Sequence, residues 1–317
     1  MVDMDDVVIG VGLGSFHDRF PEPAELFGYV ERADELGIDS IWMPDHVISE
    51  RPELDPAVLM SVIAARTQEI KMGPSVVALP GRHPVAVANT YANLDYFTGG
   101  RGRVIMGVGL GADPRFAGAV GIPPAERPGR LREAVEIMRR LWTENDVDYD
   151  GEYYRLDGVT VEPKPAQGAL DIWIGGNSDV ALKRVAQYGD GWFPSSIPAR
   201  EFAAKLDRLM GYCEEAGREV ERDEAGMILR THVDPDPDRA REIRDRYLDR
   251  RDWSGSLASF EESSAFGTPA ECVETIRRYV DAGCTKFVLL PVGPVSERID
   301  QLERYSRDVI PAVSSSA

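Results

Sequence analysis

Short apolar runs alternate with stretches of helical periodicity along the whole 317-residue chain, and that alternation restricts the possible folds more than any other feature. The apolar runs lie at residues 7–14, 40–43, 70–80, 103–111, 172–176, 192–194, 227–233 and 286–290. Between them apolar side chains recur at three- and four-residue spacing, as in Leu26, Val30, Ala33 and Leu36, or Leu131, Ala134, Val135, Met138, Leu141 and Trp142. Such spacing puts one face of a helix in a core, whereas short continuous apolar runs suit strands covered on both sides. Eight strand–helix units predict an α/β protein, a (β/α)8 TIM barrel, as one domain over residues 1–317. The rival is an open doubly wound sheet, which carries its phosphate fingerprint after the first strand. Gly10-Val-Gly-Leu-Gly14 lies there, but its third glycine comes too early, and no acid ends the second strand in register.

Two long segments interrupt the repeat: residues 112–126 after the fourth strand and 234–267 after the seventh, the latter with a charged helix at 238–251. Both leave the C-terminal ends of strands, where barrels of this kind build their sites, so both are lid candidates. Residues 149–162 contain Asp150-Gly151 and Asp157-Gly158 and read as a structural hairpin at the opposite end.

The strand ends hold the candidate chemistry. Asp45-His46 closes the second strand, and a histidine there can give or take a proton near neutral pH; the plain alternative is a hydrogen-bonded structural histidine. His17 and His83 follow other strand ends, and His232, late in the seventh strand, is placed to line the same cavity. Four scattered histidines without matching acids do not form a metal site. Ile174-Gly-Gly-Asn-Ser-Asp179 ends the fifth strand and opens a helix, whose N–H groups suit a phosphate; an ordinary cap is the plain reading of Ser178. The glycines of Arg103-Val-Ile-Met-Gly-Val-Gly-Leu-Gly111 strengthen the phosphate reading. Gly73-Pro-Ser-Val-Val77 inside the third strand predicts a bulge or distorted peptide facing the site.

Charge narrows the partners. A net charge of −18 argues against nucleic acid and anionic membranes. Only five of the 36 basic residues are lysine; adaptation to high salt and an arginine-rich, acidic proteome explain this equally well. The longest apolar runs are too short to span a bilayer, the acidic start does not resemble a signal peptide, and Cys213, Cys272 and Cys284 lack metal spacing. A cytoplasmic protein with reduced thiols is expected. Nucleophile-elbow, P-loop and HExxH motifs do not occur.

An ordered set of short motifs runs nearly end to end: Trp42-Met-Pro-Asp-His46, Gly73-Pro-Ser-Val-Val77, Arg82-His-Pro84, Gly99-Gly-Arg-Gly-Arg103 continuing to Gly111, Arg130-Leu-Arg-Glu133, Ile174-Gly-Gly-Asn-Ser178, Gly189-Asp-Gly-Trp-Phe193 and Phe266-Gly-Thr-Pro269. In this set the chain resembles the luciferase-like monooxygenase superfamily, in particular its coenzyme F420-dependent branch. The resemblance implies a flavin or deazaflavin at the C-terminal face of the barrel, and a non-proline cis peptide in the third strand, here Ser75-Val76, pressed against the ring. It places Asp45 and His46 beside the ring, Gly109 near it, and Gly175, Gly176, Asn177 and Ser178 at the cofactor phosphate. It implies hydride transfer between F420 and a small organic substrate, with His46 exchanging the proton, and a homodimer packed through barrel helices. FMN-dependent monooxygenation and a non-catalytic cofactor-binding barrel are the alternatives. Glucose-6-phosphate dehydrogenases of the branch carry a glutamate where this chain has Ala112 and a tryptophan where it has Glu50. The methylene-tetrahydromethanopterin reductases place acids at Gly12 and Ala112.

Overall fold

The structure, a computed structural model, describes residues 7–14, 16, 18–49, 52–111, 113–249 and 257–314. His17, Glu50, Ala112 and the 250–256 part of the second insertion lie outside the described residues. The strands in chain order are β1 (Val8–Gly12), β2 (Ser40–Met43), β3 (Lys71–Pro74), β4 (Val77–Ala78), β5 (Met106–Gly109), β6 (Val147–Asp150), β7 (Arg155–Val159), β8 (Ile172–Gly175), β9 (Gly191–Phe193), β10 (Gly226–Val233), β11 (Ser264–Gly267) and β12 (Lys286–Pro291).

Two parallel arcs form the wall, in the orders β11-β10-β12-β1-β2-β3 and β4-β5-β8-β9. Isolated parallel bridges join them at both seams, Met72 with Val104 on one side, and Trp192 with Ala225 and Ser195 with Ile228 on the other. Eight parallel strands thus succeed one another in chain order, and the first closes on the last through the register Val8–Lys286 to Val11–Leu289. This is the expected barrel.

Helices form where the periodicity places them. Prolines in the first turn open Pro23–Glu35, Pro56–Arg66, Pro84–Phe97 and Pro269–Asp281, where a missing N–H loses no helical bond. Thr268 and Glu271 form a reciprocal capping box on the last of these. The helix Arg127–Thr143 buries Leu131, Ala134, Val135, Met138, Leu141 and Trp142, the stripe legible in the sequence. It also buries Glu133, whose carboxylate accepts the backbone N–H groups of Glu152, Tyr153 and Tyr154 at 3.0, 3.0 and 3.3 Å. Those bonds compensate the desolvation of the charge and pin the antiparallel β6–β7 hairpin to that helix.

The barrel interior is plugged by Trp42, Trp173, Phe193 and Val288. The Trp42 and Phe193 rings lie 4.6 Å apart, and Trp173 meets Phe193 edge-on at 5.5 Å. Glycine makes the room: a Cβ on Gly191 or Gly226 would come within 2.6 Å of the Trp173 indole, and one on Gly73 within 2.7 Å of Trp42. The plug separates a cavity below it, at the strand N-termini beside Asp39, Lys71, Asp171 and Lys286, from the larger open space above it, at the strand C-termini.

One expectation is met and one feature is new. The third strand is divided into β3 and β4 at the Ser75–Val76 peptide, which is cis, within the stretch 73–77 expected to be distorted. The insertion after the seventh strand contributes β11, which extends β10 in parallel from Arg230–Ser264 to Val233–Gly267. Four residues reading Ser-Ala-Phe-Gly carry no apolar run, so only pairing with β10 reveals the strand. The same insertion packs Ile243, Tyr247 and Phe260 against Val292, just beyond β12, as a small separate core, with Tyr247 stacked on Phe260 at 5.5 Å.

Candidate active site

A cleft at the strand C-termini holds about 1300 Å³ of empty space, part of it open to solvent. Its apolar surface comes from Val76, Ile228, Val288 and Leu290; its polar surface comes from Asp45, His46, Ser75, Ser195, Arg230 and Tyr247. Seven of the eight barrel strands, or the residues just beyond them, contribute, all but β8. An apolar hollow with a few convergent polar groups is the usual form of a small-molecule site.

Asp45 is buried and fully occupied. One carboxylate oxygen accepts from Arg82 Nη2 at 2.7 Å and the other from the backbone N–H of Ala78 at 3.0 Å. Arg82 also reaches Asp55, the cap of helix Pro56–Arg66, at 3.3 Å. Asp45 therefore ties the end of β2 to β4 and holds the His46 backbone against the Ser75–Val76 segment. His46 stands on the rim, with 54% of its side chain exposed and Nδ1 3.3 Å from Glu53 Oε1. The hydrogen bond to Glu53 raises its pKa, burial opposes this, and the charges of Glu53, Asp45 and Asp113 add to the rise.

The strand-end glycines have a structural duty that the phosphate reading of the sequence did not contain. A Cβ on Gly109 would sit 2.7 Å from Val76 Cγ2, and one on Gly175 would sit 3.1 Å from the same methyl. On Gly107 it would meet the Pro74 carbonyl oxygen at 2.0 Å. These glycines let the β3–β4 segment and Val76 lie flat across β5 and β8.

At the end of β8, Ser178 caps helix Asp179–Tyr188, its Oγ accepting from the Ala181 N–H at 3.2 Å. Asn177 Nδ2 donates to the carbonyl of Ser195, a cleft residue, at 2.7 Å, while its Oδ1 is buried without a hydrogen-bond partner. Lys205 Nζ donates to the Asn177 carbonyl at 2.7 Å. The 176–178 segment therefore borders the cleft, with a lysine and an unsatisfied amide oxygen beside a helix start.

His232 does not line the cleft, contrary to its expected placement. It is fully buried, Nδ1 lies 2.7 Å from the Val292 carbonyl, and burial lowers its pKa. His83 packs edge-on against Tyr154 at 5.6 Å, on the outer wall. All three cysteines are buried and unbridged. Glu53, Arg230 and Tyr247 escaped the sequence reading. Arg230 Nε donates to Tyr247 Oη at 2.8 Å and Nη1 to Ser196 Oγ at 2.7 Å. An arginine following the Met-Ile-Leu run of the seventh strand was the available signal for it; Tyr247 stands at helical spacing from Ala240 and Ile243, which marks a buried face but not a cleft, and Glu53 lies in a segment without periodicity.

No helix among the described residues is long and apolar enough to cross a membrane. The model of the luciferase-like monooxygenase family matches residues 8–307. The F420-dependent glucose-6-phosphate dehydrogenase of Intrasporangium calvum is 30% identical, over 92% of this chain and 95% of its own. The 5,10-methylenetetrahydromethanopterin reductase of Archaeoglobus fulgidus is 26% identical, over 90% of this chain and 95% of its own. Among solved structures, a monooxygenase from Streptomyces bottropensis superimposes with a TM-score of 0.85 at 23% identity, covering 96% of this chain and 99% of that one.

Proposed function

The chain belongs to the luciferase-like monooxygenase family, and on that premise we propose that it is an oxidoreductase transferring a hydride between coenzyme F420 and a small organic substrate. The observation that carries the reading is the cleft itself, an apolar floor across the barrel mouth with a carboxylate-paired histidine on its rim. Relatives that match nearly the whole chain are F420-dependent enzymes, which favours the deazaflavin over FMN.

The residues present fit such a group. Ser75 and Val76 would support a flat ring, with Asp45 fixing the loop beside it and Gly109 and Gly175 keeping Val76 in place. Gly176, Asn177 and Ser178 would hold the phosphate at the helix start, where backbone N–H groups favour an anion, the Ser178 O–H is left to donate and the Lys205 ammonium lies beside the Asn177 carbonyl. Bound there, F420 supplies a carbon centre that gives or takes a hydride and activates oxygen poorly. The chain's own part is to orient the reactants, exclude water with Ile228, Val288 and Leu290, and exchange a proton through His46. Titrating the purified protein with F420 and, separately, with FMN tests the reading through fluorescence. Saturable binding of F420 is expected; tight FMN binding with none for F420 would overturn it.

The same reading makes this a cytoplasmic homodimer. Helix Pro84–Phe97 exposes Ala86, Asn89, Thr90, Tyr96 and Phe97, and helix Pro56–Arg66 exposes Val58, Ser61 and Ala65. Arg66 is the one exposed charge on these two helices, although 28% of the chain is charged. A neutral face on so acidic a protein suits self-association, since charge elsewhere repels a second copy. Sedimentation should give a dimer for the protein and a monomer for the Ala86→Arg/Tyr96→Asp double variant; a monomeric parent protein refutes the pairing.

A further inference from the structure

We propose that Glu53 is a positioning residue that holds the His46 ring with Nδ1–H toward its own carboxylate and Nε2 toward the cleft, making His46 the proton donor in the reduction of a polarised double bond. The inference rests on the F420 reading and deepens it by assigning the proton's path and the direction of reaction.

Nδ1 lies 3.3 Å from Glu53 Oε1, and the Glu53 side chain is only 9% exposed against 54% for His46. The carboxylate is therefore the fixed partner and the imidazole the oriented one. A carboxylate is an acceptor only, so Nδ1 carries hydrogen whether the ring is charged or neutral. The second proton of the imidazolium then resides on Nε2, the nitrogen that remains for the substrate. Asp45, preceding His46, and Asp113, just beyond β5, add negative charge at longer range, while Arg82 and Arg115 pair with those two acids. Arg230, on β10, is the cation across the same cleft. Three carboxylates around one imidazole favour its charged form, and an imidazolium is suited to giving a proton rather than taking one.

The step balances as follows. The substrate carbon accepts the hydride of the reduced cofactor, the π pair of its C=O or C=N bond moves to the heteroatom, and Nε2–H of His46 protonates that atom. The imidazole is left neutral, still donating Nδ1–H to Glu53, and regains its proton from solvent through its exposed edge.

Nitrogen-15 NMR of the cofactor-free protein reads ring tautomer and pKa directly and is independent of cofactor binding. In the parent protein the neutral ring should carry its proton on Nδ1. In Glu53→Gln and Glu53→Ala the pKa should fall and the tautomer preference should relax. Each unit of that fall lowers the protonated fraction about tenfold at pH well above the pKa, and kcat for reduction should fall with it while F420 affinity holds. Rescue of the profile by Glu53→Asp is expected. Equal imidazole titration in all variants, or a neutral ring protonated on Nε2, would overturn the assignment. Absent F420 binding together with a shifted titration would remove the direction of reaction and leave the cofactor reading, rather than the Glu53 contact, at fault.

Discussion

Replacing His46 with alanine lowers kcat/KM of the F420-linked reaction by about 100- to 10,000-fold, the usual contribution of a positioned acid–base group. The affinity for F420 should change little, because the floor and helix-start contacts proposed for the cofactor come from Val76, Ile228, Val288, Leu290 and the 176–178 segment rather than from the imidazole. The fold should tolerate the change too: the side chain is more than half exposed and packs against no core cluster. Steady-state kinetics and a fluorescence titration on the same preparation separate the two quantities. Turnover equal to that of the parent protein would remove His46 from the chemistry and leave the cleft a binding site. Asp45 is a poor choice for the same test, since its loss leaves Arg82 with only the longer contact to Asp55, frees the Ala78 N–H and disturbs the loop as well as the charge.

Gly107→Ala destabilises the protein by about 3 kcal/mol or more, at or beyond the upper end of ordinary overpacking. The added Cβ would lie 2.0 Å from the Pro74 carbonyl oxygen, a backbone atom with no rotamer to yield, and 3.2 Å from Val76. Relief requires β5 to part from the β3–β4 segment, which opens the seam already closed only by the Met72–Val104 bridge and the Val77–Val108 and Ala78–Gly109 pairs. Gly211→Ala is the internal control. It lies within helix Ala199–Ala216 with nothing near its missing Cβ, so alanine there should stabilise by about 0.5–1 kcal/mol through helix propensity. Urea unfolding of both variants checks the pair. A Gly107→Ala protein as stable as the parent would show that β3–β4 does not press on β5 as described.

The reach of the sequence is clearest where a property is local. The helical stripe from Leu131 to Trp142, the proline starts, the Thr268–Glu271 box and the Asp-Gly hairpin each depend on residues a few positions apart, and each stands where periodicity and capping chemistry place it. The break at Ser75–Val76 and the position of His46 at a strand end followed from motif and resemblance together, and the structure shows a cis peptide at the one and a cleft rim at the other.

Side-chain partners were not legible, because they join residues that only the closed barrel brings together. His232 and His46 look alike as strand-end histidines, yet one is sealed against the Val292 carbonyl and the other meets solvent and Glu53. Gly109 reads in the chain as a glycine beside the cofactor, and the structure adds that its missing side chain is the hollow that receives Val76. The strand β11 exists through its ladder to β10 and has no pattern of its own. Alternation, caps and turns, whose energies are set within a few neighbouring residues, were thus determined by the sequence itself. The burial of one histidine, the freeing of another and the duty of each glycine were decided only by tertiary structure, since close approach and desolvation depend on what the distant chain places beside them.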